Sequence, residues 1–376
     1  MPRTVEQIAL PVARLGTRRA LGVHRFGTPG ARPKAYIQAA LHADETPGML
    51  VAHHLLRRLD HAPVVGEVIV VPVANPIGLA QVVAGTHVGR YGLDGNGNFN
   101  RGFPNLVPYA ETLLRDRLGA DAAANVPLVR KALRAAHAEH RPTGEVGALR
   151  HALLGLALDA DLVLDLHCDN ESVMHLYTGD ALWPEAAGLA AELGCRAALL
   201  ARESGGHPFD EACSAPWWLL AERLGDATPI PPACLAATVE LRGKADVDDA
   251  QAAADAEALL RVLIRRGVVA GDAGPLPALQ CEATPLAGLD RLTAPVSGVL
   301  VFHCQVGDHV RTGRVVADIV DPTATTPAAA RTPVTAATDG LLMARSNQRF
   351  VGLGDLVASI AGVTPLPERG HGLLFD

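Results

Sequence analysis

The sequence predicts an α/β fold: a mixed, mostly parallel sheet flanked by helices, followed by a small all-β barrel-sandwich module. Three observations predict it. Up to about residue 270, strand-like apolar runs alternate with helix-like segments, the pattern of α/β proteins. After about residue 285, short β-branched runs separated by Gly-Asp turns take over. A chain of 376 residues is also long for one core, so two modules are expected, 1–285 and 286–376.

Ala35 to Leu41 reads as a strand. Pro47 to Leu59 reads as a helix with Leu50, Val51, Leu55 and Leu56 on one face. Pro47 suits its first turn, with Thr46 as an N-cap. Glu67 to Val73 is a β-branched run of the kind buried in α/β sheets. Asn75 to Pro108 is rich in Gly, Asn and Pro, and a loop that long inside a domain points to function or disorder. Residues 111 to 158 look mainly helical, and strands are expected at Leu162 to Asp165 and Ala237 to Leu241. Val247 to Arg266 reads as an amphipathic helix with Asp248 and Asp249 near its positive end.

The second module repeats itself. Val310 to Ile319 matches Val351 to Ile360, forty-one residues later, with Val, Gly, Val, Ala and Ile at the same offsets. Gly298 has a near counterpart in Gly340, and Pro322 to Pro333 links two similar halves.

Composition narrows the function class. Hydrophobic residues at 49% and charged residues at 19% describe an ordinary soluble protein. A net charge of -7 argues against nucleic acid or an anionic membrane as the main partner. Six scattered cysteines without a CxxC suggest a reducing compartment. No secretory-type apolar segment opens the chain, and no run approaches the roughly eighteen residues that span a bilayer. A cytoplasmic protein is expected.

The chemistry-bearing residues begin with His42-Ala43-Asp44-Glu45, directly after the first strand. An imidazole and a carboxylate three positions apart at a strand end can close on one metal ion, and open α/β sheets place their sites at such ends. Asp165-Leu166-His167 supplies a third ligand. Two His and one Glu, with one position left for water, form the ligand set of a catalytic zinc site. His53 and His54 fall within the helix and read as structural. Asp165 is placed to orient a neighbouring group.

Arg90 to Pro104 reads Arg-Tyr-Gly-Leu-Asp-Gly-Asn-Gly-Asn-Phe-Asn-Arg-Gly-Phe-Pro. Turn formation explains its glycines and asparagines, but not its two arginines. A guanidinium beside an amide suits bidentate grip of a carboxylate, and another near a metal suits an oxyanion. In Thr238-Val239-Glu240-Leu241-Arg242, a carboxylate in so apolar a strand needs a purpose or a partner. It is either paired with Arg242 or Lys244, or a general base beside the metal.

This order of motifs resembles the succinylglutamate desuccinylase/aspartoacylase family of the zinc-carboxypeptidase-like superfamily, over roughly residues 30 to 265. The resemblance implies one zinc ion held by His42, Glu45 and His167, with Glu240 as general base. It implies that Arg90 polarises the scissile carbonyl and that Asn100 with Arg101 holds the substrate carboxylate. The implied reaction is hydrolysis of the amide of a small anionic N-acyl amino acid or related carboxylate. The rival expectations are a carboxypeptidase acting on short peptides and a metal-free binding homologue. The chain departs from the family at Leu241-Arg242-Gly243, where a small residue or Gly is common, which leaves the effect of Arg242 on the pocket, and with it the particular substrate, open.

The second module resembles half of a biotinyl or lipoyl carrier, followed by its repeat. Carriers need a lysine at the hairpin turn. Here that turn reads Ile319-Val320-Asp321-Pro322, and the last lysine of the chain is Lys244. Carrier chemistry is excluded. The remaining roles are a lid, a substrate-access wall or a contact within a homo-oligomer.

Overall fold

The computed structural model describes residues 3–367 and 373; the outermost positions of the two expected modules lie outside them. β1 (Thr4–Ala9) and β2 (Ala20–Gly27) pair antiparallel, and β3 (Lys34–Ala39) follows. Helix α1 (Pro47–Leu59) has the expected bounds, although Thr46 makes no side-chain cap. It buries Val51, Leu55 and Leu59, and each buried side chain of this size contributes roughly 1.5–3 kcal/mol. β4 (Glu67–Val71) is next. Both β3 and β4 end two residues earlier than expected. Ala40 adopts a left-handed φ of 59°, which stops the first, and Pro72 has no N–H to continue the second.

The stretch read as a long loop holds α2 (Pro76–Leu79) and two small ribbons. These are β5 (Val82–Val83) with β6 (Thr86–His87), and β7 (Tyr91–Gly92) with β8 (Gly97–Asn98). The helical region divides into α3 (Val107–Leu114), α4 (Ala122–Glu139) and α5 (Gly144–Ala157). β9 (Leu162–Asp169) runs past its expected end, so His167 lies within the strand rather than after it. The short β10 (Glu171–Ser172), β11 (His175–Gly179), α6 (Glu185–Leu193), β12 (Ala197–Ala201) and α7 (Phe209–Leu224) had no counterpart in the sequence reading. β13 (Leu235–Gly243) and α8 (Asp249–Arg265) follow. The Asp248 carboxylate caps α8 by accepting the Gln251 N–H. β14 (Ala283–Pro285) is the last strand of this sheet.

The nine-stranded sheet runs β1-β2-β4-β3-β9-β13-β11-β12-β14. It is parallel except at β1–β2, β2–β4 and β13–β11. One face packs on α1, α6 and α8 through Leu55, Leu189 and Leu259. The other packs on α3, α4, α5 and α7 through Val107, Leu133, Leu153 and Trp217. His54 bonds Asp249 at 2.9 Å and so ties α1 to α8, the structural role expected of it.

The remaining strands are β15 (Leu289–Thr293), β16 (Gly298–Phe302), β17 (His309–Val310), β18 (Val315–Val320), β19 (Arg331–Thr335), β20 (Gly340–Arg345), β21 (Phe350–Val351) and β22 (Leu356–Gly362). They form two antiparallel sheets, β19-β18-β16-β21 and β15-β22-β20 with β17 on β20. The repeat seen in the sequence explains this arrangement. β16, β17 and β18 correspond to β20, β21 and β22, and each half lends its short strand to the other half's sheet. Leu300, Ile319, Leu342, Val357 and Ile360 share the core between the sheets. The short β10 joins β20, which links these strands to the large sheet's chain. No helix among the described residues is long and apolar enough to cross a membrane.

Candidate metal centre and catalytic cleft

The site lies at the ends of β3, β9 and β13. Gln38, Asp165 and Thr238 stand in one cross-strand row, and His167 stands beside Glu240 in the next usable one. Matched register sends these side chains to the same face. The strained Ala40 turns the chain so that His42 and Glu45 face His167. Gly89 braces this turn: its carbonyl accepts the Ala43 N–H at 3.1 Å. A Cβ on Gly89 would come within 2.4 Å of the Asp44 nitrogen, so no side chain fits there.

His42, Glu45 and His167 are all buried and offer ligand atoms that lie within 4.8 Å of one another. Glu45 Oε1 is 3.0 Å from His42 Nδ1, and Oε2 is 2.8 Å from His167 Nδ1. The outward nitrogens are held from behind. His42 Nε2 bonds Asn98 Oδ1 at 2.8 Å, and His167 Nε2 lies 3.0 Å from Asp165 Oδ2. Asp165 is fixed in turn, since Gln38 donates to it at 3.0 Å and Tyr36 donates to Gln38 at 2.8 Å. This buried chain orients an imidazole as partners behind metal-bound histidines do. Asp165 thus has the orienting position read from the sequence. Tyr36, Gln38 and Asn98 were missed. A glutamine inside an apolar buried strand was the available signal for Gln38.

Charge at the triad follows from this packing. Burial opposes ionisation of Glu45, but His42 and His167 outweigh it and hold the carboxyl well below its usual range. Burial also opposes protonation of His167, but Asp165 and Glu45 outweigh it and raise its pKa well above the ordinary value. Burial lowers the pKa of His42, and Arg90 and His167 add to that against Glu45. Glu45 thus favours its ionised form and lies between two imidazoles, a donor set that could hold a divalent cation. Two imidazole nitrogens and a carboxylate at such spacing could hold a metal ion.

Around the triad is a cleft of about 310 Å³. Arg90 reaches inward, with Nη1 3.2 Å from both Glu45 Oε1 and His42 Nδ1. Glu240 lines the cleft and pairs with neither Arg242 nor Lys244. Arg242 forms an ion pair with Asp255 of α8, and Lys244 one with Asp44. Arg242 is not among the residues that line the cleft. Its left-handed φ of 63° at the bulge after Glu240 turns it toward α8. Burial, with Glu45 next, pushes the Glu240 carboxyl up to about 8.

Asn100 and Arg101 also line the cleft. Asn100 Oδ1 accepts the Phe209 N–H at 2.9 Å, and Arg101 Nη1 donates to the Asn100 carbonyl at 2.8 Å. The segment before α7 crosses behind them, where Gly206 accepts from Gly102 and a Cβ at 206 would meet Arg101 Cδ at 2.5 Å. Asp210, also in the cleft and unanticipated, is pushed up to about 7 by burial, with Glu211 and Asp165 adding to it.

Comparison with known proteins follows this geometry. Residues 31–122 match the succinylglutamate desuccinylase/aspartoacylase catalytic domain. The family resemblance read from the motifs is therefore borne out. The matched stretch contains His42, Glu45, Arg90, Asn100 and Arg101, whereas His167 and Glu240 lie beyond it. A Shewanella amazonensis protein of the succinylglutamate desuccinylase/aspartoacylase family superposes with a TM-score of 0.83 at 25% identity, covering 96% of this chain and 98% of its own. A Shewanella frigidimarina protein given the same family designation superposes at 0.85 and 23%, covering 96% and 97%. The ectoine utilization protein of Ruegeria pomeroyi, solved with product bound, superposes at 0.68 and 20%, covering 96% and 95%. No curated protein matches the chain.

Proposed function

We propose that this chain is a zinc-dependent hydrolase of the amide bond of a small N-acyl amino acid or related carboxylate. The observation that carries the reading is the buried His42–Glu45–His167 triad with Glu240 beside it in register, its Oε2 buried without a hydrogen-bond partner. The family match over residues 31–122 supports deacylase-type chemistry. On this reading residues 1–285 form the catalytic module, and 286–376 a β barrel-sandwich module that walls the cleft. A cytoplasmic location belongs to the same proposal.

Zinc bound by His42, Glu45 and His167 would acidify a water and polarise the acyl carbonyl. The protein supplies the rest. Arg90, whose guanidinium reaches into the cleft beside Glu45 and His42, is placed to stabilise the negative charge that develops on the carbonyl oxygen. Glu240 accepts the proton of the attacking water. Its raised pKa then lets it return that proton to the leaving amine, so one carboxyl serves as base and acid. Arg101 holds the substrate carboxylate, while Asn100 fixes the segment before α7 that backs it.

Arg101→Ala is expected to raise KM for carboxylate substrates about a hundredfold or more with little change in kcat, the loss of a charge-assisted pair. Steady-state kinetics checks this, and an unchanged KM removes Arg101 from the binding site. A screen of N-acetyl and N-succinyl amino acids beside dipeptides, with zinc supplied, tests the function itself. Turnover of the acyl amino acids is expected. Cleavage of the dipeptides alone would make the chain a peptidase instead.

A further inference from the structure

Arg150, on α5, gives its hydrogen bonds to carbonyl oxygens rather than to a carboxylate. Its Nη2 donates to the Asn98 carbonyl at 2.9 Å, and Nε reaches the Phe99 carbonyl at 3.5 Å. Among the described residues it forms no ion pair, although it is half-buried. Arg19, Arg130, Arg242 and Arg345 are half-buried too, and each faces a carboxylate, of Glu145, Asp161, Asp255 and Glu171. Burial holds the pKa of Arg150 below its usual value, with no acid to offset it. A cation withdrawn from water without an acid beside it costs stability, so its presence calls for a reason.

The two carbonyls belong to a segment that backs the site. Asn98 Oδ1 meets His42 Nε2 at 2.8 Å and accepts the Asn100 N–H at 2.8 Å. Asn100 Nδ2 lies 3.4 Å from His167 Nε2, and Arg101 follows it into the cleft. Regular structure does not hold this backbone, since β8 ends at Asn98 and α3 begins only at Val107. The guanidinium nests in its turn: Gly102 has a left-handed φ of 70°, and a Cβ there would lie 3.6 Å from Arg150 Nη1. The other side of the clamp is rigid. Leu149 and Leu153 of α5 are wholly buried, and Arg19 bonds both oxygens of Glu145 in its first turn at 3.0 Å. A group carried on such a helix keeps a fixed place.

We propose that Arg150 is a positioning residue, which clamps the segment from Asn98 to Gly102 onto α5 and so fixes Arg101 at the cleft. The inference rests on the amide-hydrolase reading and extends it to a residue that does not line the cleft. A guanidinium bonds a carbonyl more strongly than a neutral donor does, and its fork can span two at once. A carboxylate beside it would compete for the same N–H groups, which gives a reason for the missing acid. Without Arg150, Asn98 keeps its bonds to His42 and to the Asn100 N–H. The loss therefore falls chiefly on Arg101.

The test compares zinc-reconstituted wild type, R150M, R150K, R101A and R101A/R150M on the N-acyl amino acids of the substrate screen. Hydrogen exchange of metal-free wild type and R150M accompanies the kinetics. R150M is expected to raise KM about tenfold at little-changed kcat, and R150K to recover part of the loss. Added to R101A, R150M should raise KM no further, because the two changes remove one grip. The N–H groups of Phe99, Asn100, Arg101 and Gly102 are all hydrogen-bonded. Their exchange should be at least tenfold faster in R150M, while α5 exchanges as in wild type. An unchanged KM, or an equal effect of R150M with and without Arg101, overturns the proposal. Faster exchange throughout α5 also overturns it, since Arg150 would then be a general support of the fold. If no compound is hydrolysed, the amide-hydrolase reading fails, and exchange alone decides the clamp. Tenfold faster exchange confined to residues 99–102 supports it, and unchanged exchange refutes it.

Discussion

Glu240→Gln is expected to lower kcat by about three orders of magnitude or more, near the upper range for loss of a positioned acid–base group. Glutamine keeps the shape and neutrality of the protonated carboxyl but cannot accept a proton. Glu240 is paired with neither neighbouring cation, and its Oε2 is buried without a partner, so the substitution breaks no ion pair. Zinc content and melting temperature should therefore stay near wild type. The acid limb of the kcat/KM profile should also change. In the wild type, activity rises as Glu240 loses its proton, and the residual activity of the variant lacks that dependence. Turnover near the wild-type level would remove Glu240 from the role of base.

Glu45→Gln should have an effect of similar size by a different route, through loss of the metal. Both oxygens of Glu45 are used, Oε1 toward His42 and Arg90, and Oε2 toward His167 and the Cys168 N–H. An amide must place a donor against at least one of those groups. The buried imidazole of His167 then loses its counter-ion, and breaking a buried pair in this way costs about 3–5 kcal/mol, whereas Arg90, with its side chain 42% exposed, adds little to that cost. The pH dependence carries a definite sign. Because the folded pKa of Glu45 is depressed, its contribution to metal-free stability is present above the ordinary carboxylate range and is lost as pH falls through the folded value. His167 is raised, so its contribution is complete below the ordinary imidazole value and is lost as pH rises through the folded one. Thermal unfolding of metal-free wild type and variant across pH measures both. A variant that keeps wild-type zinc content and wild-type stability would show that Glu45 is not a ligand.

Much of this was legible in the sequence because the site uses local spacing. His42 and Glu45 share one turn after β3, and the Arg90 to Pro104 segment carries its arginines between turn formers, so both could be read without tertiary information. The helix Pro47–Leu59 was legible because its apolar face and its proline coincide. Other parts depend on register, which no linear pattern discloses. Gln38 lies beside Asp165 only because β3 pairs with β9. The direction of Arg242 could not be read, because it depends on a bulge and a left-handed φ, not on alternation along β13. β11, β12 and α7 went unread, since their apolar content is nearly continuous and supports no clear period. The contribution of residues beyond 285 to the cleft needed the pairing of β10 with β20, a contact across more than 160 residues.

Metal content together with turnover tests the central claim most directly. Purified protein, stripped by a chelator and reconstituted, should bind one zinc ion per chain. Amide hydrolysis should vanish on stripping and return in proportion to the zinc restored. Less than about a tenth of an equivalent of bound zinc after reconstitution, against the tight binding such a ligand set gives, or full turnover by the stripped protein, would contradict the account.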